Sequence, residues 1–280
     1  MPWVIEARRV WVSYVDGNPV LRGASLAAER GEVVSLLGPT GSGKTTLLLV
    51  LAGLLRPEKG EVLLDGTDLY SQLPGARRRI GLLFQNPDDQ LFNPTVYDEI
   101  AYSLRTLGEN EDTIRERVAA VARLLGIEAI LERPPYRLSM GQKRLVALAS
   151  ILVYEPDILL LDEPLTFLDP DAARRVACIV RLYAKKGKTV ILATHNVEAA
   201  AWLSNKTCIL RNGVTHCTTP RELLEDNEII ERLGWLHPTL RLAKRLARDN
   251  LWRLIEEDRT NLEEECKLVN NTTTSKPTNT

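Results

Sequence analysis

The sequence predicts an α/β chain: a mostly parallel core sheet, an antiparallel β subdomain, a helical subdomain and a short helical C-terminal extension. Three observations carry this. Continuous apolar runs that close on glycine, acid or histidine (EVVSLLG at 32–38, ILLLDEP at 158–164, TVILATH at 189–195) have the pattern of strands buried on both faces. Segments of helical length separate them, and that alternation argues for parallel pairing. The first thirty residues instead alternate apolar and polar side chains about Asp16, Gly17 and Asn18, as antiparallel strands joined by a turn do.

Taken in order, a glycine-rich loop follows the strand at 32–38, and an apolar helix is expected from about Lys44 to Leu55, stopped by Pro57 and Gly60. Short strands are expected at Glu61–Leu64 and Ile80–Phe84. From Val96 to about Arg133 helical periodicity takes over, with Ala, Leu and Arg dominant, and the helical subdomain is placed at about 90–155. Strands return at 157–162 and 189–194, with a helix near Asp171–Lys186 between them. Cys208–Cys217 reads as a hairpin turning at Asn212-Gly213. Residues 1–218 form one domain in this reading. A charged helical extension covers 219–268, split at Pro238, and 269–280 is a disordered low-complexity tail.

Composition narrows the function. The 280 residues allow about two domains at ~150 residues each. Lys and Arg total 36 against 37 acids, a net charge of −1 that excludes nucleic-acid binding by bulk charge. The longest apolar run, Leu47–Leu55, is about half the length a membrane helix needs. The opening MPWVIEARRV lacks the apolar stretch of a secretion leader. A soluble chain is expected, reaching a membrane only through a partner. Cys178, Cys208, Cys217 and Cys266 show no Cys-x-x-Cys spacing, so reduced, structural thiols are expected rather than zinc or a disulfide framework.

GPTGSGKT, Gly38 to Thr45, fits G-x-x-x-x-G-K-[ST] between an expected strand and an expected helix. Backbone N–H groups of such a loop converge on phosphate oxygens at a helix N-terminus, where the dipole is positive. Gly38, Pro39, Thr40, Gly41, Ser42, Gly43, Lys44, Thr45 and Thr46 are therefore the candidate triphosphate cradle. Lys44 would reach the β and γ phosphates and the Thr45 hydroxyl would ligate Mg²⁺. ILLLDEP delivers two acids to the end of a buried strand. Asp162 would hold the magnesium and Glu163 would polarise the attacking water. His195 ends another buried strand on the same sheet edge, within reach of a γ-phosphate. Gln85 ends IGLLFQ, where its amide would touch Mg²⁺ or the lytic water.

These motifs, in order with LSMGQ (138–142) and FLDP (167–170), resemble the ATP-binding-cassette ATPases of the P-loop NTPase fold, over roughly Val4 to Cys217. FQNPDDQLF (84–92), the following TVYDEIAY and the tail segment ERLGWLHPTLRLAKRL (231–246) are similar to the energy-coupling-factor and cobalt/nickel-type importer ATPases. The resemblance implies further roles. Tyr14 would stack on adenine. Ser139, Gly141 and Gln142 would meet the γ-phosphate of ATP held by an opposing subunit, and Asp169 would communicate across that dimer. ATP and Mg²⁺ are the implied cofactors. The implied partners are a second ATPase subunit, a transmembrane coupling subunit that docks near Leu91 and Phe92, and a substrate-binding membrane subunit. No nucleic acid is expected. The chain would sit at the cytoplasmic face of the cell membrane and power uptake of a vitamin or transition-metal ion. The C-terminal helices are a solvated cap or a dimer contact. Met140, Leu145 and Phe167 depart from the family pattern, which has glycine, arginine and a small residue there. Two alternatives stay open: an ATPase of this type uncoupled from transport, and a weakly hydrolysing partner in a heterodimer.

Overall fold

A computed structural model describes residues 3–14, 17–225 and 251–274; the side chains of 251, 263–265 and 267–274 are outside it. The chain folds as two sheets with helices around them. Strands β1 (Ile5–Ser13), β2 (Pro19–Ala28), β4 (Lys59–Leu64) and β5 (Thr67–Asp68) form a four-stranded sheet in the order β2-β1-β4-β5, antiparallel throughout. The second sheet holds β3 (Val33–Leu37), β6 (Ile80–Leu83), β7 (Ile158–Asp162), β8 (Thr189–Thr194), β9 (Lys206–Arg211) and β10 (Val214–Thr218) in the order β10-β9-β3-β8-β7-β6. All its pairings are parallel except β9 with β10. The expected mixed α/β class, with a parallel core sheet and an antiparallel subdomain, is what forms.

Every residue of β3, β7 and β8 is buried, which is why those segments are apolar without alternation. The hairpin turn falls at Asn212 and Gly213, both with positive φ (52° and 79°), the geometry of a two-residue turn. Helix α1 (Lys44–Leu51) stops short of the expected Leu55. Gly53 takes φ 68° and its N–H bonds the Val50 carbonyl, a left-handed cap that ends the helix before Pro57.

Helices α2 (Val96–Thr106), α3 (Glu111–Leu125) and α4 (Met140–Leu152) make the helical region, each begun by a side-chain cap, from Thr95, Asn110 and Ser139. Helices α5 (Pro170–Lys185), α6 (Val197–Leu203) and α7 (Pro220–Glu225) cover the core sheet. The last described helix, α8 (Leu251–Thr274), sends Leu262 and Cys266 into the core shared with α3, α4 and α5, while Trp252 and Ile255 pack on the α6–α7 cluster. Helix therefore continues past residue 269, where a disordered tail is expected; 275–280, Pro238 and the tail segment 231–246 lie outside the described residues. No described helix is long and apolar enough to cross a membrane.

The cysteines correct the sequence reading. Cys178 on α5 is bonded to Cys266 on α8, and Cys208 on β9 to Cys217 on β10, so all four are disulfide-linked rather than reduced. The fold supplies the proximity that the linear spacing hides. Antiparallel register sets Cys208 opposite Cys217, and helix packing brings Cys266 to a Cα separation of 5.2 Å from Cys178.

Candidate functional site

The core sheet gathers the candidate residues by register alone. In neighbouring strands, Leu37 pairs with Thr194 and Asp162 with Ala193, so the loop after β3 and the residues after β7 and β8 emerge together at the C-terminal edge. There the structure forms a cavity of about 350 Å³, lined by Tyr14, Val20, Thr40, Gly41, Gly43, Lys44, Thr45, Thr46, Gln85, Asp162 and Glu163. Gly43 caps α1 with φ 100°, and a Cβ there would fall 2.8 Å from Val20 Cγ1, so both conformation and space require glycine.

Inside this edge the side chains hold one another. Lys44 Nζ donates to the Gly38 and Pro39 carbonyls at 2.8 and 3.1 Å and lies 4.0 Å from Glu163 Oε1. Burial pushes the Lys44 pKa down, and the carboxylates of Glu163 and Asp162 work against that shift. Thr45 Oγ1 donates to Asp162 Oδ2 at 2.5 Å. Burial raises the Asp162 carboxyl; the Thr45 hydrogen bond opposes this and the neighbouring Glu163 carboxylate adds to it. Tyr14 and Thr46 share a hydroxyl–hydroxyl hydrogen bond of 3.1 Å.

Glu163 is the most constrained group. Its backbone sits at φ 50° and its N–H donates to the Ala193 carbonyl, so β8 fixes it from outside its own strand. Its Oε1 accepts from the backbone N–H of His195 at 3.0 Å and lies 2.7 Å from His195 Nδ1, while Oε2 accepts from Thr194 Oγ1 at 3.1 Å. His195 Nδ1 is thus directed at Glu163, where sequence reasoning had aimed the histidine at a phosphate.

The residue that sequence reasoning missed is Arg144. It is 0% exposed in the middle of α4, and its guanidinium donates to the Phe84, Gln85 and Asp162 carbonyls. One cation therefore ties α4 to the ends of both β6 and β7. Burial lowers the Arg144 pKa, against the pull of Asp162 and Glu163. A signal was available: Arg144 shares a helical face with Leu148 and Ile151, both buried, and a cation on a core face needs acceptors. Beside it, Leu145 is buried apolar core at 8% exposure. Helix α4 thus buries an arginine at 144, directly before Leu145.

The LSMGQ residues are elsewhere. Ser139 and Gln142 form a reciprocal capping box at the exposed start of α4, with Gln142 N to Ser139 Oγ at 3.3 Å and Ser139 N to Gln142 Oε1 at 3.1 Å. Neither they nor Gly141 line the cavity of their own chain. Asp169 caps α5 by accepting from Ala172 N–H at 2.9 Å. A Cβ on Gly141 would meet the Phe167 carbonyl oxygen at 2.7 Å, so glycine is needed to let this helix start lie against the loop before α5. Gly141→Ala is expected to cost about 1–3 kcal/mol by overpacking. Thermal melts check this; an unchanged midpoint would show that the two segments separate freely.

This geometry coincides with a family match. A model described as "ABC transporter" fits residues 21–166. The chain belongs to the ABC transporter ATP-binding family. Energy-coupling factor transporter ATP-binding protein EcfA of Methanothermobacter thermautotrophicus is 42% identical over 248 residues, 87% of this chain and 80% of that protein. The protein of the same name from Methanocaldococcus jannaschii is 38% identical, covering 82% and 84%. Among solved structures, cbiO1 from Clostridium perfringens, part of the ABC transporter complex cbiONQ, superposes with a TM-score of 0.71 at 31% identity, over 86% of this chain and 98% of that one. A dimeric post-hydrolysis ATP-binding cassette bound to ADP and Pi gives a TM-score of 0.71 at 27% identity, over 77% and 98%. This ABC chain binds ATP, and its hydrolysis is coupled to transport.

Proposed function

We propose that this ABC ATPase is the energising subunit of an energy-coupling-factor-type importer and acts as a pair of cassettes that close over ATP. The observation that carries the pairing is the separation of its two half-sites. The cavity at the sheet edge holds Lys44, Thr45, Gln85, Asp162 and Glu163, while Ser139, Gly141 and Gln142 stand outside it at an exposed helix start. A helix N-terminus favours an anion, so the α4 start of one copy completes the phosphate site of the other. The relatives named EcfA and the cbiONQ component support the importer reading.

Tyr14 borders the cavity as the adenine contact, and Gly38–Thr46 takes the phosphates. Thr45, Asp162 and Gln85 offer oxygen donors, the set magnesium prefers, and Thr45 with Asp162 already share a 2.5 Å contact. These residues would hold Mg²⁺, which would supply positive charge against the phosphates. Lys44 exchanges two loop carbonyls for phosphate oxygens. Glu163, held on one side by Thr194 and His195, takes a proton from the attacking water, and His195 acts by positioning it.

Coupling to a membrane subunit runs through residues 85–92. Phe92 is 68% exposed and meets Tyr102 edge-on at 5.0 Å, an apolar anchor for a docking helix. The acidic run behind it is tied inward. Asp88 pairs with Lys143 at 2.6 Å, and Gln90 Nε2 donates to the Ala147 carbonyl at 3.0 Å, both on α4. Pressure on Phe92 therefore reaches the helix that starts with the LSMGQ residues. The cargo is a vitamin or transition-metal ion, bound by a separate membrane subunit, and the chain sits at the cytoplasmic face.

Turnover per chain should rise with chain concentration, because each site needs two copies. Constant specific activity across a hundredfold dilution would overturn the pairing. Lys44→Ala should weaken nucleotide binding at least tenfold by calorimetry, since the buried ammonium loses its exchange onto phosphate.

A further inference from the structure

Another cavity, of about 930 Å³, runs along β1 on the exposed face of the antiparallel sheet and shares no lining residue with the nucleotide cavity. A break in strand alternation builds one end of it. Arg8 pairs with Glu61 and Trp11 with Lys59, so Arg9 and Val10 stand opposite Gly60 alone, a β-bulge. The extra residue keeps Ala7 and Val10 in the core and leaves Arg8 and Arg9, neighbours in sequence, both exposed. Arg9 takes φ 46° to do so, a left-handed conformation that costs energy in any residue but glycine. Gly60 closes the bulge from β4, where a Cβ would fall 2.4 Å from the Arg8 and Arg9 carbonyl oxygens. Strain of this kind persists only where the surrounding structure holds it, and it gathers at binding sites.

Charge along the cavity is unevenly committed. Arg8 is held by Glu6 and Glu61 at 2.8 and 3.0 Å. Lys206, over the Trp3 ring at the far end, pairs with Glu32 at 3.2 Å. Arg9 and Lys59 have no carboxylate partner among the described residues. The Lys59 ammonium lies 5.7 Å from the centre of the Trp11 ring, and that indole, 37% exposed, lies close to Gly23 on β2. The bulge end therefore brings two uncommitted cations to one aromatic platform.

We propose that this end of the cavity binds a flat aromatic anion, its ring on the Trp11 indole and its negative charge between Arg9 and Lys59. A neutral ring would leave both cations unpaired, and a ringless anion would leave the indole to water. A ligand that carries both features satisfies the guanidinium with charge-assisted hydrogen bonds and covers the platform by stacking.

The test uses the full chain with its nucleotide cavity filled by Mg²⁺-ADP, and calorimetry follows titration with naphthalene-1,5-disulfonate, a flat dianion. Saturable binding of one molecule per chain is expected. Arg9→Gly removes the guanidinium and relieves the left-handed strain, so affinity should fall at least tenfold while the thermal midpoint holds or rises. Lys59→Gln should weaken binding severalfold. Ethane-1,2-disulfonate, which has the charge without the ring, should bind the parent at least tenfold more weakly, and Trp11→Leu should erase most of that difference. Parent-like affinity in both Arg9→Gly and Lys59→Gln would overturn the site. Equal binding of the uncharged naphthalene-1,5-disulfonamide would overturn the anionic class, and no saturable binding to the parent would overturn the proposal as a whole. None of these outcomes depends on the importer or two-copy reading.

Discussion

Glu163→Gln is expected to lower ATP hydrolysis by about 10²–10⁴-fold while ATP stays bound. The amide matches the carboxylate in shape, so the site should form. Its oxygen can keep the position that accepts from the His195 backbone N–H at 3.0 Å, and its NH₂ can face Thr194, whose hydroxyl turns to accept. What the amide lacks is basicity toward water. Phosphate release measured beside nucleotide retention separates the two effects. Parent-like phosphate release would move the base to another group on this edge.

The second large effect is expected at Arg144. Truncation to alanine strips the Phe84, Gln85 and Asp162 carbonyls of their shared charged donor inside a buried site. Each buried carbonyl left without a donor costs about 1–3 kcal/mol, so three together cost several kcal/mol. For a chain of this size that is a fall of about ten degrees in thermal midpoint. Arg144→Met restores apolar volume without the donors, so the gap between the two variants reports packing, and the deficit they share reports the hydrogen bonds. Midpoints within two degrees of the parent in both would show that water satisfies those carbonyls. Gln85 hangs from this guanidinium by its own backbone, so turnover should fall even where the fold survives.

Most of the architecture was legible because the buried strands announce themselves. Val33–Leu37, Ile158–Asp162 and Thr189–Thr194 are apolar throughout and end in the residues that line the edge. Strand order then does what no linear reading can, setting Asp162 level with Ala193 and so Glu163 against Thr194 and His195. Arg144 was obscured because a basic residue after a polar motif reads as surface until the helical face is counted. One disulfide was within reach: a two-residue turn at Asn212-Gly213 forces Cys208 opposite Cys217 by arithmetic. The other was not, since Cys178 and Cys266 are 88 residues apart and meet only once α8 has packed on α5. The same packing carries helix past 269, where the threonine-rich composition reads as tail.

That long-range crosslink has a topological result. It closes a covalent ring that encloses β8, β9 and β10, and with them His195. In the chain-entropy model a ring of this length disfavours the denatured ensemble by about 4–5 kcal/mol. A protease that nicks the backbone anywhere within the ring leaves both pieces tethered, so shedding the C-terminal helix takes a reductant as well as a cut.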